Sequence, residues 1–276
     1  IGEFDNQGVD ATLEYTHKFG DFLVSFRSNY TFARNNLTEN DEPDYIYTYQ
    51  NRKGNRLNQP FGLIAEGLFT SEEEIASSPE QTFGTVRVGD IKYKDVNGDG
   101  VINTYDEVPI GNPDTPEMVY GFGTSLAWKG IDFSIFFQGS ANMDFMLSGD
   151  GFYPFLRGQE QGNVTYWATD RWTPENPRQD ALFPRLSDGD NPNNYRSSTW
   201  WQRSANFLRL KTAEIGYTFP KKWTSKAKIS ALRIYVSGLN LHTFSKFKYW
   251  DPELGNANGA AYPIQRSVSI GANINF

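Results

Sequence analysis

GVDATLEYTHKFGDFLVSFRSNYTFA, residues 8–33, is the stretch that decides the fold of this 276-residue chain. Apolar and polar residues alternate on both sides of Gly20-Asp21, so each half has one apolar and one polar face, as a half-buried β-strand requires. The apolar positions are Val9, Ala11, Leu13 and Tyr15, then Phe22, Val24, Phe26, Tyr30 and Phe32. The Gly-Asp pair between them is typical of a tight turn. The stretch therefore predicts two strands joined by a tight turn.

The same alternation returns five more times along the chain. It covers residues 119–128, 131–139, 206–219, 231–244 and 265–276. Each segment is about ten residues long and has one apolar and one polar side. The chain is therefore predicted to be all-β, with seven antiparallel strands.

The composition narrows the class of function. The formal net charge is −7 and no basic run occurs, which argues against a nucleic-acid partner. The absence of cysteine excludes disulfides, cysteine–zinc sites and thiol nucleophiles. Both histidines, His17 and His242, fall in strand patterns rather than in a triad arrangement. The loop aspartates Asp150, Asp170, Asp188 and Asp190 show no catalytic spacing. We therefore predict that the chain is not an enzyme.

Two kinds of protein contain such strands. In a soluble sandwich the apolar face forms the core, whereas in an outer-membrane barrel it meets lipid. Strands of about 9–11 residues match a tilted membrane crossing, whereas globular strands average about 5–6 residues. The connections at 19–21, 129–130 and 220–229 are short, and those at 34–117, 141–205 and 245–264 are long. This alternation favours the barrel. The alternative is a calcium-stabilised extracellular β-sandwich that binds carbohydrate.

The C-terminal segment also favours a barrel. Apolar residues alternate from Val268 to the terminal Phe276, in the manner of a barrel assembly signal. Seven strands would leave two unpaired edges, which a membrane does not tolerate, and bacterial barrels have even strand numbers. We therefore expect the chain to be the C-terminal piece of a larger barrel.

The segment DVNGDGVINTYD, residues 95–106, has the spacing of a calcium loop. Such loops use side-chain oxygens at positions 1, 3 and 5, a carbonyl at 7, a direct or water-mediated ligand at 9 and an acid at 12, with glycine at 6. The corresponding ligands are Asp95, Asn97, Asp99, Val101, Asn103 and Asp106. Aspartate rather than glutamate at position 12 leaves the choice between calcium and magnesium open. The alternative is a turn that is rich in Asp, Asn and Gly for backbone reasons alone.

Five tryptophans lie outside the predicted strands. They are Trp167, Trp172, Trp200, Trp201 and Trp250. Their rings are candidates for stacking on a sugar or gripping a peptide. Packing within large ordered loops, contact with a lid and an interfacial aromatic girdle are the alternatives.

Four segments of the chain resemble the SusC/RagA family of TonB-linked outer-membrane proteins of Bacteroidetes. They are DIKYKDVNGDGVINTYDEVPIGNPDTPEMVYGFGTSLAWKGIDFSIFFQG (90–139), FLRLKTAEIGYTFPKKW (207–223), LRIYVSGLNLHTFSKFKYWDPE (232–253) and YPIQRSVSIGANINF (262–276). They occur together in the family's order and cover most of the chain.

The resemblance implies a transmembrane barrel of about 22 strands, of which residues 1–276 are the C-terminal part. The plug, the N-terminal strands and the box that contacts TonB would lie upstream. The chain would be a multi-pass protein of the bacterial outer membrane, with its C-terminus on the periplasmic side and its three long connections outside the cell.

The resemblance also implies a function and a set of partners. The function would be active import of glycans or peptides, by capture under a lid, displacement of the plug by TonB and release into the periplasm. The partners would be the rest of the same barrel with its plug, a SusD-like surface lipoprotein as the lid, the TonB–ExbB–ExbD complex, the barrel-assembly machinery and outer-membrane lipid.

Overall fold

Seven long strands form one antiparallel sheet in the computed structural model, which describes residues 2–149, 151–156, 164–189, 191–255 and 258–276. They are β1 (Glu3–Phe19), β2 (Phe22–Glu39), β3 (Met118–Trp128), β4 (Ile131–Ala141), β5 (Phe207–Thr218), β6 (Ala231–Ser245) and β7 (Ser267–Asn275). Each strand pairs with its neighbours in chain order. The all-β prediction and the seven predicted strands are confirmed.

The first two strands are longer than predicted. β2 continues to Glu39, so the prediction that the first long connection begins at residue 34 is wrong. The alternation stops after Phe32 because polar residues such as Asn35 and Asn36 occupy both faces. The backbone ladder with β1 does not depend on side-chain polarity, and it continues to the pair Glu3–Glu39.

Two adjacent rows across the sheet show how its two faces differ. In register, the first row runs through His17, Val24, Leu126, Phe133, Ile215, Val236 and Ile270. The next row runs through Thr16, Ser25, Ser125, Ser134, Glu214, Ser237 and Ser269. Successive residues of a strand point to opposite faces. We call the first the apolar face and the second the polar face.

No protein layer covers the apolar face within the described residues. Val9 is 62% exposed, Ile215 is 54% exposed and Ile270 is 79% exposed. The other described sheets have two strands each, so none is a second layer of a sandwich. The alternative of a β-sandwich is therefore wrong, because the apolar face that would form its core is open.

A bulge at Lys211 interrupts the alternation of β5. Leu210 and Thr212 pair with the consecutive residues Phe137 and Phe136 of β4, which leaves Lys211 as the extra residue. A bulge of this kind shifts the phase of a strand by one residue. The apolar face therefore carries even-numbered residues of β5 before the bulge and odd-numbered residues after it.

The long connections contain short elements of their own. The paired segments are Phe61–Gly62 with Val108–Pro109, Ala65–Leu68 with Ile91–Tyr93, Glu80–Gln81 with Val101–Ile102, and Asp144–Met146 with Gln202–Ser204. The helices are α1 (Glu72–Ser77), α2 (Lys221–Thr224) and the 3-10 turns Thr48–Gln50, Thr104–Asp106, Tyr166–Thr169, Ser225–Ala227 and Pro252–Leu254. In the described parts of the chain, no helix is long and apolar enough to cross a membrane.

The hydrophobic core of the chain lies in the long connections rather than on the sheet. We call it the loop core. Ile91 from the first long connection, Phe145 and Trp201 from the second and Phe247 from the third are all at most 4% exposed and belong to one cluster. The edge of Phe145 meets the ring of Phe247, with centroids 5.2 Å apart. The three connections therefore fold together as one packed unit beside the sheet.

Candidate functional site

The predicted metal loop lies between a short strand and a helical turn. The strand Ile91–Tyr93 precedes it, and the 3-10 turn Thr104–Asp106 closes it. Ile102 is 1% exposed and packs into the loop core. Ile102 thus anchors the loop to the loop core, whereas most of the polar residues of the loop lie near the surface.

Asp95 folds the first half of the loop around itself. Its two carboxylate oxygens accept hydrogen bonds from the amides of Gly98 and Gly100, at 2.7 and 2.8 Å. Both glycines have positive φ angles, of 75° and 83°, which cost little without a Cβ atom. Asp99 Oδ1 accepts from the amide of Val101 at 2.9 Å.

Asp106 closes the loop from the other end. Its side chain is completely buried, and its two oxygens accept from the amides of Val96 at 2.8 Å and Asn103 at 2.9 Å. Asn103 Oδ1 accepts in turn from the amide of Tyr105 at 2.7 Å. The described contacts of the Asp106 carboxylate are thus all with backbone amides, whereas a buried carboxylate is usually paired with a cation or a metal.

The loop has the ligand types that calcium prefers, but its oxygens are occupied. Within the described residues, no group of three or more Asp, Glu, His or Cys side chains converges so that it could hold a metal ion. Asn97 Oδ1 accepts from the amide of Asp99 at 3.0 Å, and Asn97 Nδ2 donates to Asp99 Oδ2 at 2.9 Å and to the Tyr47 hydroxyl at 3.1 Å. The loop is therefore closed by its own hydrogen bonds, and metal binding stays a prediction.

The three aspartates of the loop create a negative electrostatic potential that acts on Tyr49. Tyr49 packs beside the loop, and its hydroxyl donates to the carbonyl of Tyr105 at 2.6 Å. Burial raises the pKa of Tyr49, and the negative charges of Asp106, Asp99 and Asp95 raise it further. A field of this sign attracts cations.

The five tryptophans fall into two groups. Trp201 is completely buried and Trp172 is 6% exposed, so both rings lie inside the loop core. Trp167, Trp200 and Trp250 are partly buried and pack against that core from its edge. Of the five, only these last three are more than marginally exposed in this structure, and substrate contact by any of the five stays a prediction.

A buried ionic network that the sequence did not reveal ties the first two long connections together. Asp90 is completely buried, and Arg185 donates to its two oxygens from Nε at 3.1 Å and Nη2 at 3.0 Å. The side-chain amides of Asn194 and Asn191 donate to Asp90 Oδ1 at 2.8 and 3.4 Å. The asparagine-rich run NPNN (191–194) is the one sign of this network in the sequence. Its acceptor, Asp90, lies 101 residues before Asn191, so the sequence does not connect the two.

A second ionic cluster anchors the third long connection. Arg209 of β5 is 2% exposed and forms ion pairs with Asp251 and with Glu253, the latter at 3.0 Å. Lys211 Nζ reaches the same Glu253 at 3.0 Å. The turn Pro252–Leu254 is thereby fixed to the strand at the position of the bulge.

The polar face of the sheet carries its own charges and a groove. Arg233 of β6 forms ion pairs with Asp132 of β4 and with Glu214 of β5, the latter at 2.6 Å. The residues that line a groove of about 400 Å³ include hydroxyl residues such as Ser25 and Ser125, the charged residues Glu14 and Arg27, and Phe136. The face is therefore suited to water and polar solutes rather than to lipid.

Those of the remaining residues singled out in the sequence that the structure describes show no catalytic grouping. Asp170 is ion-paired with Arg178, and Asp188 lies in a separate pocket beside Arg185. Asp150 and Asp190 lie outside the described residues. Phe276 follows β7 and is 90% exposed, and its role as an assembly signal stays a prediction.

Comparison with known proteins gives relatives of one kind. No protein-family model matches the chain. A TonB-dependent receptor of Formosa agariphila is 34% identical over 230 residues, which is 78% of this chain and 22% of the relative. A second TonB-dependent receptor of the same organism is 26% identical over 100% of this chain and 29% of the relative. These are names of receptors, not of enzymes, as the sequence predicted.

The fold agrees with these relatives. The solved structure of the RagAB peptide transporter superposes on the whole chain with a TM-score of 0.76, at 22% identity and over 29% of its own chain. The same importer in an 'open-open' state gives a TM-score of 0.71. The chain thus spans less than a third of each of these proteins. Sequence and fold together identify it as a segment of a SusC/RagA-like TonB-dependent receptor.

Proposed function

We propose that the chain is the C-terminal part of an outer-membrane barrel that imports glycans or peptides with energy delivered by TonB. The observation that carries this proposal is the sheet whose apolar face is left uncovered by every part of the chain that the structure describes. An apolar face of this size is stable when it meets lipid, and the polar face then lines the lumen. The two unpaired edges, at β1 and β7, would pair with the remaining strands of the same barrel.

The lengths of the connections support an orientation of the barrel in the membrane. The turns after β1 and β3 have two residues each, Gly20-Asp21 and Lys129-Gly130, whereas three connections are long and share the loop core. Bacterial barrels have short periplasmic turns and long extracellular loops. We therefore propose that the loop core lies outside the cell and that Phe276 lies on the periplasmic side.

The residues of this segment act by shaping a path rather than by covalent chemistry. In the proposed cycle, the long connections form part of a vestibule under a SusD-like lipoprotein, and the captured cargo passes along the polar face after TonB displaces the plug. The ion pairs of Arg233 and Arg209 hold the wall and the third connection in place during this step. The rest of the barrel, the plug and the assembly machinery complete the set of proposed partners.

The test uses the full-length receptor. We expect it to require detergent for solubility, and to migrate faster on a gel before boiling than after, as folded barrels do. Cells without the receptor should fail to grow on one polymer or protein source, and the full-length gene should restore growth, whereas a version without its TonB-contacting segment should not. A receptor that stays monodisperse in plain buffer would refute the transporter function.

We also propose that the 95–106 loop binds calcium as a structural clip, supported by its ligand spacing and the buried, amide-bound Asp106. Extracellular loops of this type have dissociation constants of about 10⁻⁴ M at their tightest. Calcium at a hundred times that value would stabilise the loop by about 2.7 kcal/mol. We expect proteolysis within residues 90–110 to be slower by up to about a hundredfold in 10 mM calcium than in EDTA.

Two variants control this experiment. Asp99→Ala should abolish the protection by calcium, whereas Asp114→Ala, which removes an exposed acid outside the twelve-residue window, should keep it. The same titration with magnesium decides between the two ions. Equal cleavage with calcium and with EDTA would show that hydrogen bonds alone close the loop.

A further inference from the structure

A pocket beside Trp200 joins the first two long connections. Its volume is about 340 Å³, at the lower end of the range of small-ligand sites. One wall is the strand Ala65–Leu68, and the other comes from the second connection, at 179–181 and 199–203. The pocket is separate from the 95–106 loop, and neither the proposed import path along the polar face nor the calcium clip uses it.

Hydrogen bonds fix the rim of this pocket. The side-chain amide of Gln179 accepts from the amide of Leu68 at 2.7 Å and donates to its carbonyl at 3.0 Å. Thr199 Oγ1 accepts from the amide of Ala65 at 2.9 Å. Two backbone donors of the strand edge are therefore already satisfied by side chains. An extended peptide that added to this edge would have to displace both.

The indole of Trp200 is held in one orientation. Its Nε1 donates to the carbonyl of Leu182 at 3.1 Å, and the completely buried Trp201 follows it in the chain. Trp200 itself is partly buried, packs against the loop core and lines the pocket. A fixed aromatic ring can cover an apolar ligand face with little loss of conformational entropy.

Acidic and basic residues line the same pocket as Trp200. Arg203 is positioned by bonds from its Nη1 to the carbonyls of Trp200 and Gln202, at 2.6 and 2.8 Å. Glu66 and Asp180 line the same pocket. Guanidinium groups only donate hydrogen bonds and carboxylates only accept them. The pocket therefore offers donors and acceptors next to one aromatic ring.

This combination matches the chemistry of a sugar ring. Each sugar hydroxyl both donates and accepts, and a pyranose also has an apolar face of C–H groups. Two acidic residues and one basic residue line the pocket, so it does not match an anionic ligand. We propose that this pocket binds one ring of a neutral glycan, with Trp200 stacked on the ring and Glu66, Asp180 and Arg203 bound to its hydroxyls. This assignment rests on the proposed function, since it names the cargo class of the importer.

The experiment measures binding to the purified full-length receptor in detergent. The probe is an array of neutral plant, algal and animal oligosaccharides, followed by calorimetry with the best-bound member. We expect binding of at least one glycan. Trp200→Ala should weaken it by at least about tenfold, as for a central aromatic contact, whereas Trp200→Phe should stay within about threefold because the ring face is kept. Glu66→Gln should weaken binding by about fivefold, since a charged acceptor is lost.

A matched control is Trp223→Ala. Trp223 lies in α2, between β5 and β6, is 62% exposed, and does not line the pocket. Its removal should leave glycan affinity unchanged, and all variants should show the same gel shift on boiling as the parent. The proposal would be overturned by the absence of binding to any arrayed glycan or by unchanged affinity in Trp200→Ala. Trp200-dependent binding of tryptic casein peptides in place of glycans would overturn it as well.

These failures are distinct from a failure of the proposed function. A receptor that requires detergent and supports TonB-dependent growth on protein, but binds no glycan, would refute the sugar pocket and leave the importer intact. A protein that needs no detergent would refute the importer itself.

Discussion

Ile135→Arg in the full-length receptor is expected to lower the amount of folded barrel in the outer membrane. Ile135 lies in the middle of β4, between Thr124 of β3 and Ala213 of β5, on the apolar face. Arginine at the middle of a lipid-facing strand costs about 2–4 kcal/mol. The loss should be visible as a smaller fraction of fast-migrating protein on unboiled gels, and as a lower midpoint of unfolding in urea.

The neighbouring residue provides the control. Ser134→Arg places the same side chain one residue away, on the polar face, where Ser134 pairs with Glu214. That carboxylate can accept the added guanidinium in water, so we expect a change of less than about 1 kcal/mol. Equal losses in both variants would contradict the assignment of the two faces to lipid and lumen.

Asp90→Ala is expected to loosen the first two long connections while leaving the sheet folded. The change removes a completely buried carboxylate and leaves Arg185, Asn191 and Asn194 without their common acceptor. Breaking a buried ion pair from one side costs about 3–5 kcal/mol, and the value here should be near the lower bound because Arg185 is 23% exposed. Trypsin should then cleave after Arg87 and Arg185 much faster than in the parent, and amide exchange in 89–94 should accelerate.

Asp180→Ala is the matched control for this change. The Asp180 side chain is 85% exposed, and its nearest cation, Arg178, is 3.6 Å away. An exposed pair of this kind contributes about 0–1 kcal/mol. Similar protease sensitivity in the two variants would show that the Asp90 network does not hold the connections together.

The sheet could be predicted from the sequence because its signal is local. In the hairpin of β1 and β2, apolar and polar residues alternate over most of both strands, because every second residue of a strand lies on the same face. The bulge at Lys211 could not be read in the same way. In FLRLKTAEI, two polar residues in succession, Lys211 and Thr212, interrupt the alternation, and a loop or the end of a strand would give the same local pattern as a bulge. The neighbouring strands decide which of these forms, and they come from distant parts of the chain.

In the long connections, too, features that depend on neighbouring residues in the sequence were predictable, and features that depend on distant residues were not. The spacing of Asp95, Asp99 and Asp106 is local, and the structure does fold those residues into one loop. The burial of Trp172 and Trp201 was not predictable, because the residues that cover them come from all three connections. A tryptophan in a polar loop has the same local pattern whether it packs in a core or faces a ligand.

The shared loop core limits how such receptors can be recombined. A chimaera in which residues 40–117 were replaced by those of another receptor would lose Ile91 and Leu63 but keep Trp201 and Phe247, their partners in the same cluster. Loop-core residues of this chain would then pack against residues from the other receptor. Their volumes would not match, and hydrophobic cores tolerate such a mismatch poorly. Exchange of all three connections as one block would keep the interior intact. Inheritance of cargo preference, in evolution or in engineering, is therefore expected to follow the block and not the single loop.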